Sequence, residues 1–186
     1  MPDNNEDFKK VTISGTNNRY QINKLIRDRK ENKKRVNSLN WKFSDEYLEY
    51  HKQVELIEKI VSSNFTFENE VGKIAMQEIH KKIYGYKQQD MIKKIFQEKL
   101  FITFEDILHK MIDCKLKCHY CKENMIILYD ISREMKQWSV DRIDNNIGHN
   151  KENFYLACLD CNLKRRRISD TKFLFTKQLN ITKQEA

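Results

Sequence analysis

The sequence is poor in residues that interrupt regular structure, and it lacks any long apolar run. It holds four glycines and one proline among 186 residues, which indicates few tight turns and much helix. Because no stretch of about 18 apolar residues occurs, no membrane-spanning helix is predicted. A charged segment followed by an apolar leader is also missing, which argues against a signal peptide and favours an intracellular protein.

The five cysteines all fall between residues 114 and 161. Disulfides are rare inside cells, so this clustering favours metal ligation. Cys118 and Cys121 form one Cys-x-x-Cys pair, and Cys158 and Cys161 form a second. Four thiolates at this spacing suit tetrahedral zinc, and a closed four-thiolate site predicts a structural ion without an open position for chemistry. Cys114 lies outside the spacing and is interpreted as an ordinary half-buried thiol.

The net charge of +8 is concentrated at the two ends of the chain. Residues 1–40 carry a net charge of +5, residues 41–113 carry −2, and residues 114–186 carry +5. Basic ends around a near-neutral middle indicate two surfaces for a polyanion, joined by a structural segment. For the N-terminal end, a solvated tail is an equally good interpretation, because its lysine-rich run has no aromatic residues that could stack on bases.

The first 113 residues divide into a polar arm and a helical region. Residues 1–40 predict a basic, partly disordered arm with a short strand-like run, VTISG. Residues 41–113 show helical periodicity, and their role is unknown; this region could bind a protein partner or self-associate. Four helices are expected here, with starts at or near Ser44, Thr66, Lys87 and Thr103, and with Gly85 placed to end the second.

After Cys121 the apolar pattern changes to that of strands. The runs NMIILYD and KQWSVDRID predict a β-hairpin, followed by a loop of about ten residues and then a helix over LDCNLKRRRI. Side chains alternate along a strand, so Asp141 and Arg142 should face opposite ways. The expected fold class is therefore α+β, with a helical N-terminal region followed by a small cysteine-braced domain in residues 114–186.

The residues CHYC and WSVDRIDNNIGHNKENFYLACLDCN resemble the HNH endonucleases of the ββα-metal (His-Me finger) group. They are similar to the branch whose finger is braced by four zinc-binding cysteines, and the resemblance covers about residues 114–170. It implies a hairpin and helix that hold one divalent ion, usually Mg²⁺, against the scissile phosphate. By position, Asp141 matches the ligand on the strand, Asn162 matches the ligand on the helix, and Asn153 matches the loop asparagine that orients the catalytic histidine.

Arg142 departs from the family pattern, because it stands where these enzymes have the histidine that activates water. Arginine stays protonated at any useful pH and is a poor general base, although it could grip a phosphate or stabilise the transition state. His149 is the candidate base, since Gly148 would let its loop fold back and an imidazole titrates near neutrality. Asp144, or water acting with metal help alone, remains an alternative.

A run of four basic residues follows Asn162 and is expected to contact the phosphate backbone of duplex DNA. We therefore expect a metal-dependent endonuclease that hydrolyses phosphodiester bonds in DNA and uses structural Zn²⁺ with Mg²⁺ or another divalent ion. The alternatives are a non-catalytic nucleic-acid-binding zinc module and a subunit of a larger nucleic-acid machine. The basic run consists of Lys164, Arg165, Arg166 and Arg167.

Overall fold

The computed structural model describes residues 33–64 and 69–178. The described residues from Lys34 onward belong to one compact unit. The strand-like run VTISG, most of the predicted basic arm and the predicted helix start at Thr66 lie outside the described residues. The expected α+β composition is confirmed, because several helices accompany a small two-stranded sheet.

A short 3₁₀ helix, Val36–Asn40, precedes the first predicted helix, which begins where the sequence predicts but is divided in two. Ser44 caps a short 3₁₀ helix, Asp45–Leu48, by accepting a hydrogen bond from the amide of Glu46. The backbone is extended at Glu49, and helix α1 then runs over Tyr50–Ser62. One face of α1 is buried in the core through Gln53, Leu56, Ile57 and Ile60.

Helix α2 spans Glu70–Ile92 without a break, so the predicted stop at Gly85 is wrong. Contacts beyond the glycine hold the helix together: the amide of Val140 donates to the Tyr86 hydroxyl at 3.0 Å, and the Asp90 side chain is fully buried. Tertiary anchoring of this kind outweighs the roughly 1 kcal/mol by which glycine disfavours a helix interior. The separate helix predicted over residues 87–100 is therefore partly the end of α2 and partly loop.

Helix α3, Phe104–Asp113, confirms the capping pattern in the sequence. The Thr103 hydroxyl accepts from the amide of Asp106, and the Asp106 carboxylate accepts from the amide of Thr103. Its apolar face is buried beside α1. The buried residues of that face are Phe104, Ile107, Leu108 and Met111.

The sheet pairs strands other than those predicted. Strand β1, Trp138–Arg142, lies within the expected second run, but its antiparallel partner is β2, Phe154–Cys158. The run NMIILYD forms only isolated bridges. The buried Gln53 amide on α1 accepts from the amides of Ile127 and Leu128 and donates to the Leu128 carbonyl, so a side chain supplies the hydrogen bonds that a strand partner would make.

The predicted helix after the sheet is confirmed as α4, Leu159–Arg165, and it packs on both strands. Its end is sharp, because Arg166 has a φ of 51°. A further helix, α5, spans Asp170–Gln178. It places Phe173 edge-on against the Tyr120 ring, with 4.9 Å between centroids.

The predicted helical region and the cysteine-containing region share one hydrophobic core. Ile57 and Ile79 from the helices belong to the same buried cluster as Trp138 and Leu156 from the sheet. The ribbon of β1 and β2 is therefore held from outside by α2 as well as by α4. In the described part of the chain, every helix is too short or too polar to cross a membrane.

Candidate functional site

The four paired cysteines converge at one point of the structure. Their Sγ atoms all lie within 4.8 Å of one another. Tetrahedral zinc with bonds of about 2.3 Å separates its sulfurs by roughly 3.8 Å, so the arrangement fits a four-thiolate ion. Cys118 and Cys121 come from the turn after α3, whereas Cys158 ends β2 and Cys161 lies in α4. The site therefore joins the turn, the sheet and the helix.

The same cluster accommodates few negative charges without a cation. Hydrogen bonds from the thiols of Cys158 and Cys161 lower the pKa of Cys118. The interaction with Cys118 raises the pKa of Cys158 to about 12, and it raises the pKa of Cys161 as well. One thiolate thus suppresses ionisation of its neighbours. A bound cation removes this penalty, because it stabilises all four thiolates together.

Asp141, the predicted strand ligand, is buried on β1 and is already paired at one oxygen. Its Oδ2 accepts from the Tyr120 hydroxyl at 2.6 Å and from Nε of Arg165 at 2.5 Å. Burial and the Asp141 carboxylate raise the pKa of Tyr120, so its hydroxyl stays protonated as a donor. Among the described residues, Oδ1 of Asp141 accepts no hydrogen bond, which leaves that oxygen for another ligand.

Asn162, the predicted ligand on the helix, has a fixed amide orientation. Its Nδ2 donates to the Val140 carbonyl and to Oγ of Ser139, each at 3.1 Å. A carbonyl can only accept, so the nitrogen must face β1 and Oδ1 must face away from that strand. Asn162 directly follows Cys161, so the cysteine cluster and β1 together position its oxygen.

His149 is held in one tautomer by an aspartate from α2. Its Nδ1 lies 2.7 Å from Oδ1 of Asp90, and its backbone amide donates to Oδ2 of Asp90 at 2.6 Å. An ionised carboxylate only accepts, so Nδ1 carries the proton and Nε2 keeps its lone pair. Burial lowers the pKa of His149 below its usual value, and the Asp90 charge opposes that shift. The imidazole also stacks on Tyr86.

Asn153 acts on the loop that carries His149, not on the imidazole itself. Its Nδ2 donates to the carbonyls of Asp144 and Gly148, each at 3.0 Å, and its Oδ1 accepts from the Asp144 amide. Gly148 is required for space, because a Cβ there would lie 2.7 Å from the Ile95 carbonyl oxygen and 2.8 Å from Oδ2 of Asp90. The loop is therefore pressed against the end of α2.

One cavity of about 350 Å³ is lined by both predicted metal ligands and by two of the three predicted catalytic residues, whereas Asn153 lies outside its lining. Asp141 and Arg142 line it from β1, Asn162 lines it from α4, and His149 lines it from the loop. Asp144 lies outside this lining; it is exposed, and its carboxylate accepts from the Asn146 amide in a local turn. The lining thus includes two residues with side-chain oxygens, a histidine and Arg142, whose Nη1 donates to the carbonyls of Asn145 and Ile147.

A larger cavity of about 930 Å³ adjoins the first and is strongly basic. Arg142, Asn145 and Arg166 line both cavities, so they form the boundary between the two. The larger cavity is also lined by Lys93 and Arg167, and Asp144 is its one carboxylate. Such a surplus of positive charge suits a polyanion.

The four basic residues predicted to contact nucleic acid do not share one environment. Arg166 and Arg167 line the larger cavity, and Lys164 is exposed but paired with Asp160 at 2.7 Å. Arg165 is only 1% exposed. Its guanidinium holds Asp141 and donates to the carbonyls of Arg142 and Ile168, so it supports the site from inside the fold.

Two residues of the site were not anticipated from the sequence. Asp90 was part of a generic helical pattern, and Tyr120 was one aromatic residue between two cysteines. The position of Tyr120 inside the Cys-x-x-Cys turn is a usable signal, because a metal-bracing turn fixes the direction of its side chain. Asp90 gives no local signal, since 59 residues separate it from His149.

Comparison of the chain with protein-family models, curated proteins and solved structures finds no match. The resemblance to HNH endonucleases rests on the quoted motif residues. What the structure adds is a four-cysteine cluster compatible with a zinc site, in a mixed helix and sheet fold.

Proposed function

We propose that this chain is a metal-dependent endonuclease that hydrolyses phosphodiester bonds in DNA, built on a zinc-braced ββα-metal finger. One observation carries the proposal: His149, whose imidazole is paired with the buried Asp90, lines the cavity that Asp141 and Asn162 also line. A general base must present a free nitrogen beside the groups that hold the substrate. His149 is our candidate for that role, because Arg142 stands where the motif has its base.

His149 is assigned the role of general base. Its Nε2 accepts a proton from water, the water oxygen bonds to phosphorus, and the bond from phosphorus to the leaving oxygen breaks. Asp90 keeps the Nδ1 proton in place and stabilises the imidazolium that forms, so it is a positioning residue. Arg142 remains charged throughout, and its assigned role is to stabilise negative charge on the phosphate.

The donor set of the cavity fits a hard divalent cation. Oδ1 of Asp141 and Oδ1 of Asn162 would hold Mg²⁺, which prefers oxygen ligands and keeps several waters. When bound, the ion supplies positive charge against the phosphate and the leaving oxygen. Arg165 shares Asp141 through the other carboxylate oxygen, so the carboxylate would serve two cationic partners at once.

DNA binding is assigned to the larger basic cavity. Lys93, Arg166 and Arg167 offer cations there, and backbone phosphates are the matching groups on DNA. Because Arg142 lines both cavities, a strand held in the larger one would place a neighbouring phosphate near His149. Contacts of this kind position the nucleic acid without reading its sequence.

One observation favours a second candidate function, a non-catalytic nucleic-acid-binding zinc module. The Arg165 guanidinium lies 2.5 Å from Asp141 and brings a buried positive charge to the predicted metal ligand. A fixed cation there competes electrostatically with Mg²⁺. Under this alternative, Arg165 replaces the metal and the basic cavity keeps its role in binding.

The test is cleavage of supercoiled plasmid by the purified protein, with added Mg²⁺ or Mn²⁺ and without an added divalent ion. We expect nicked or linear DNA only when the ion is added. The Asp141→Asn variant can still accept from Arg165 and Tyr120 through its oxygen, but it then turns its NH₂ group toward the ion. Its cleavage rate should fall about 100-fold or more.

Asp45→Asn is the matched control, since it removes one exposed carboxylate far along the sequence from the motif. It should cut at the parental rate. Plasmid that stays intact with either ion, while the parent protein still binds DNA, would favour the non-catalytic module. Parental activity in Asp141→Asn would contradict the assignment of the metal ligand.

A further inference from the structure

A third cavity, of about 500 Å³, lies where the end of α3, the cysteine turn and β2 meet. Neither the candidate catalytic cavity nor the larger basic cavity includes its lining. It combines lysine side chains with two aromatic rings, His119 from the turn and Tyr155 from β2. The lysines of the lining are Lys110, Lys117 and Lys122.

The two rings form a flat pair at this cavity. His119 and Tyr155 are parallel within 3°, with 3.7 Å between their centroids. The His119 amide donates to the Leu156 carbonyl at 2.9 Å, which ties the cysteine turn to β2 and fixes the ring pair. Both residues are only partly buried, so ring surface remains available to a ligand. A rigid aromatic pair of this kind suits stacking with a base.

The charge of the cavity is positive. All three lysines are exposed, and Asp113 is the one carboxylate of the lining. Within the described part of the chain, none of the three makes an ion pair; Lys122 donates instead to the His119 carbonyl at 2.7 Å. Amines without an acidic partner match the phosphate of a nucleotide, and the aromatic rings match its base.

The position of the cavity relates it to the candidate site. Tyr155 is the register partner of Asp141 across the two-stranded sheet. His119 also lies edge-on to Tyr120, at 5.0 Å between centroids, and the Tyr120 hydroxyl holds Asp141. A ligand stacked on the ring pair would therefore lie beside the residues that support the predicted metal ligand.

We propose that this cavity binds unpaired nucleotides of a single-stranded nucleic acid. The lysines contact backbone phosphates, and the His119–Tyr155 pair stacks on a base. A paired base inside a duplex cannot make this contact, because both of its faces are covered by neighbouring bases. An acidic peptide would satisfy the lysines alone and leave the rings without a matching group. The inference rests on the proposed function only in taking the bound strand as part of the cleaved substrate.

The experiment measures binding of a fluorescently labelled oligothymidylate by anisotropy, at fixed salt and without added Mg²⁺. Replacing Lys110, Lys117 and Lys122 together with Gln should weaken binding about tenfold or more, because three phosphate contacts are lost. A charge-matched control replaces three exposed lysines elsewhere, Lys42, Lys73 and Lys136, and should bind within about twofold of the parent.

The stacking contact is tested at Tyr155. Tyr155→Leu should weaken binding of the single strand by about tenfold, while Tyr155→Phe, which keeps the ring, should restore it. Zinc content and melting temperature verify that each variant is folded. Affinity for a blunt hairpin duplex should change little in both variants.

Two results would overturn the inference: parental single-strand affinity in the triple Gln variant, or displacement of the strand by polyglutamate as effectively as by unlabelled oligothymidylate. This experiment measures binding and not cleavage, so its outcome does not depend on whether the protein is a nuclease. If the protein binds the single strand as described but does not cut DNA, the nuclease proposal fails and this cavity remains the single-strand binding site.

Discussion

At the scale of single residues, the site depends on the pair of His149 and Asp90, of which the sequence indicates only His149. His149 stands out in NNIGHN because an imidazole titrates near neutrality and follows a glycine. Its partner Asp90 lies 59 residues earlier and comes into contact only when α2 packs beside the loop. The sequence therefore suggests a base, whereas the tautomer that makes Nε2 the accepting nitrogen follows from the folded contact.

The first residue-scale prediction concerns pH. His149 must be neutral to accept a proton, so the cleavage rate should rise with pH through the pKa of His149 and then level off. Burial lowers that pKa, so the midpoint should lie below the ordinary value of about 6.5. Single-turnover rates measured across pH provide the check. A midpoint well above this value would identify a different base.

Helical periodicity identifies Arg165 as the buried member of the run of four basic residues. The run from Lys164 to Arg167 predicts a uniform basic surface, yet Arg165 is buried. It lies four residues after the buried Cys161, and residues four apart share a face of a helix. Helical spacing from the cysteine therefore marks Arg165 as the inward member of the run. Its pairing with Asp141 depends on the strand behind it and could not be predicted.

At the scale of elements, the two helix starts with capping residues at Ser44 and Thr103 were predictable, and the strand partners were not. The capping box at Thr103 and the cap at Ser44 are local features, and both hold in the structure. Strand pairing depends on contacts between distant residues. NMIILYD has the composition of a strand, but the buried Gln53 side chain takes its backbone hydrogen bonds, and NFYLAC pairs with β1 instead.

At this scale we compare two glycines, one in a tightly packed loop and one with open space around it. Gly148→Ala places a Cβ against the Ile95 carbonyl and the Asp90 carboxylate. Overpacking of this kind should lower the free energy of unfolding by about 1–3 kcal/mol, and it should move His149 and reduce cleavage. Gly85→Ala meets no atom within 4 Å inside α2, so it should be neutral or stabilising. Thermal unfolding of both variants is the measurement.

Equal melting temperatures for the two alanine variants would contradict the close docking of the loop on α2. A loss of stability in Gly85→Ala alone would also contradict it, because the tight packing would then lie within α2 and not at the loop that carries Gly148.

At the scale of the whole molecule, the cysteine cluster braces a core that both predicted regions share. The boundary at residues 113 and 114 marks a change of sequence pattern, and the core continues across it through Ile57, Ile79 and Trp138. Composition could not reveal this, because shared burial leaves no local sequence signal. Loss of a zinc ion from this cluster is therefore expected to loosen the helices as well as the residues around the cysteines.

The prediction at this scale is that Cys158→Ser loses zinc and melts far below the parent. A structural zinc site in a small domain supplies on the order of 10 kcal/mol of folding free energy at neutral pH. Cys114→Ser is the matched control: its sulfur lies outside the cluster and donates to the Met111 carbonyl, so zinc should be retained. Metal analysis and thermal unfolding give the result. A parent without zinc, or a Cys158→Ser variant as stable as the parent, would contradict this account.

The assignment of His149 as the general base is tested by the single-turnover rate of DNA cleavage by His149→Asn with Mg²⁺ present. Asparagine can still donate to Asp90, so the buried carboxylate keeps a partner, but it cannot accept the proton of water. We predict a rate about 10²–10⁴-fold below that of the parent, with DNA affinity unchanged. Cleavage by His149→Asn at the parental rate, with the parental pH dependence, would contradict it.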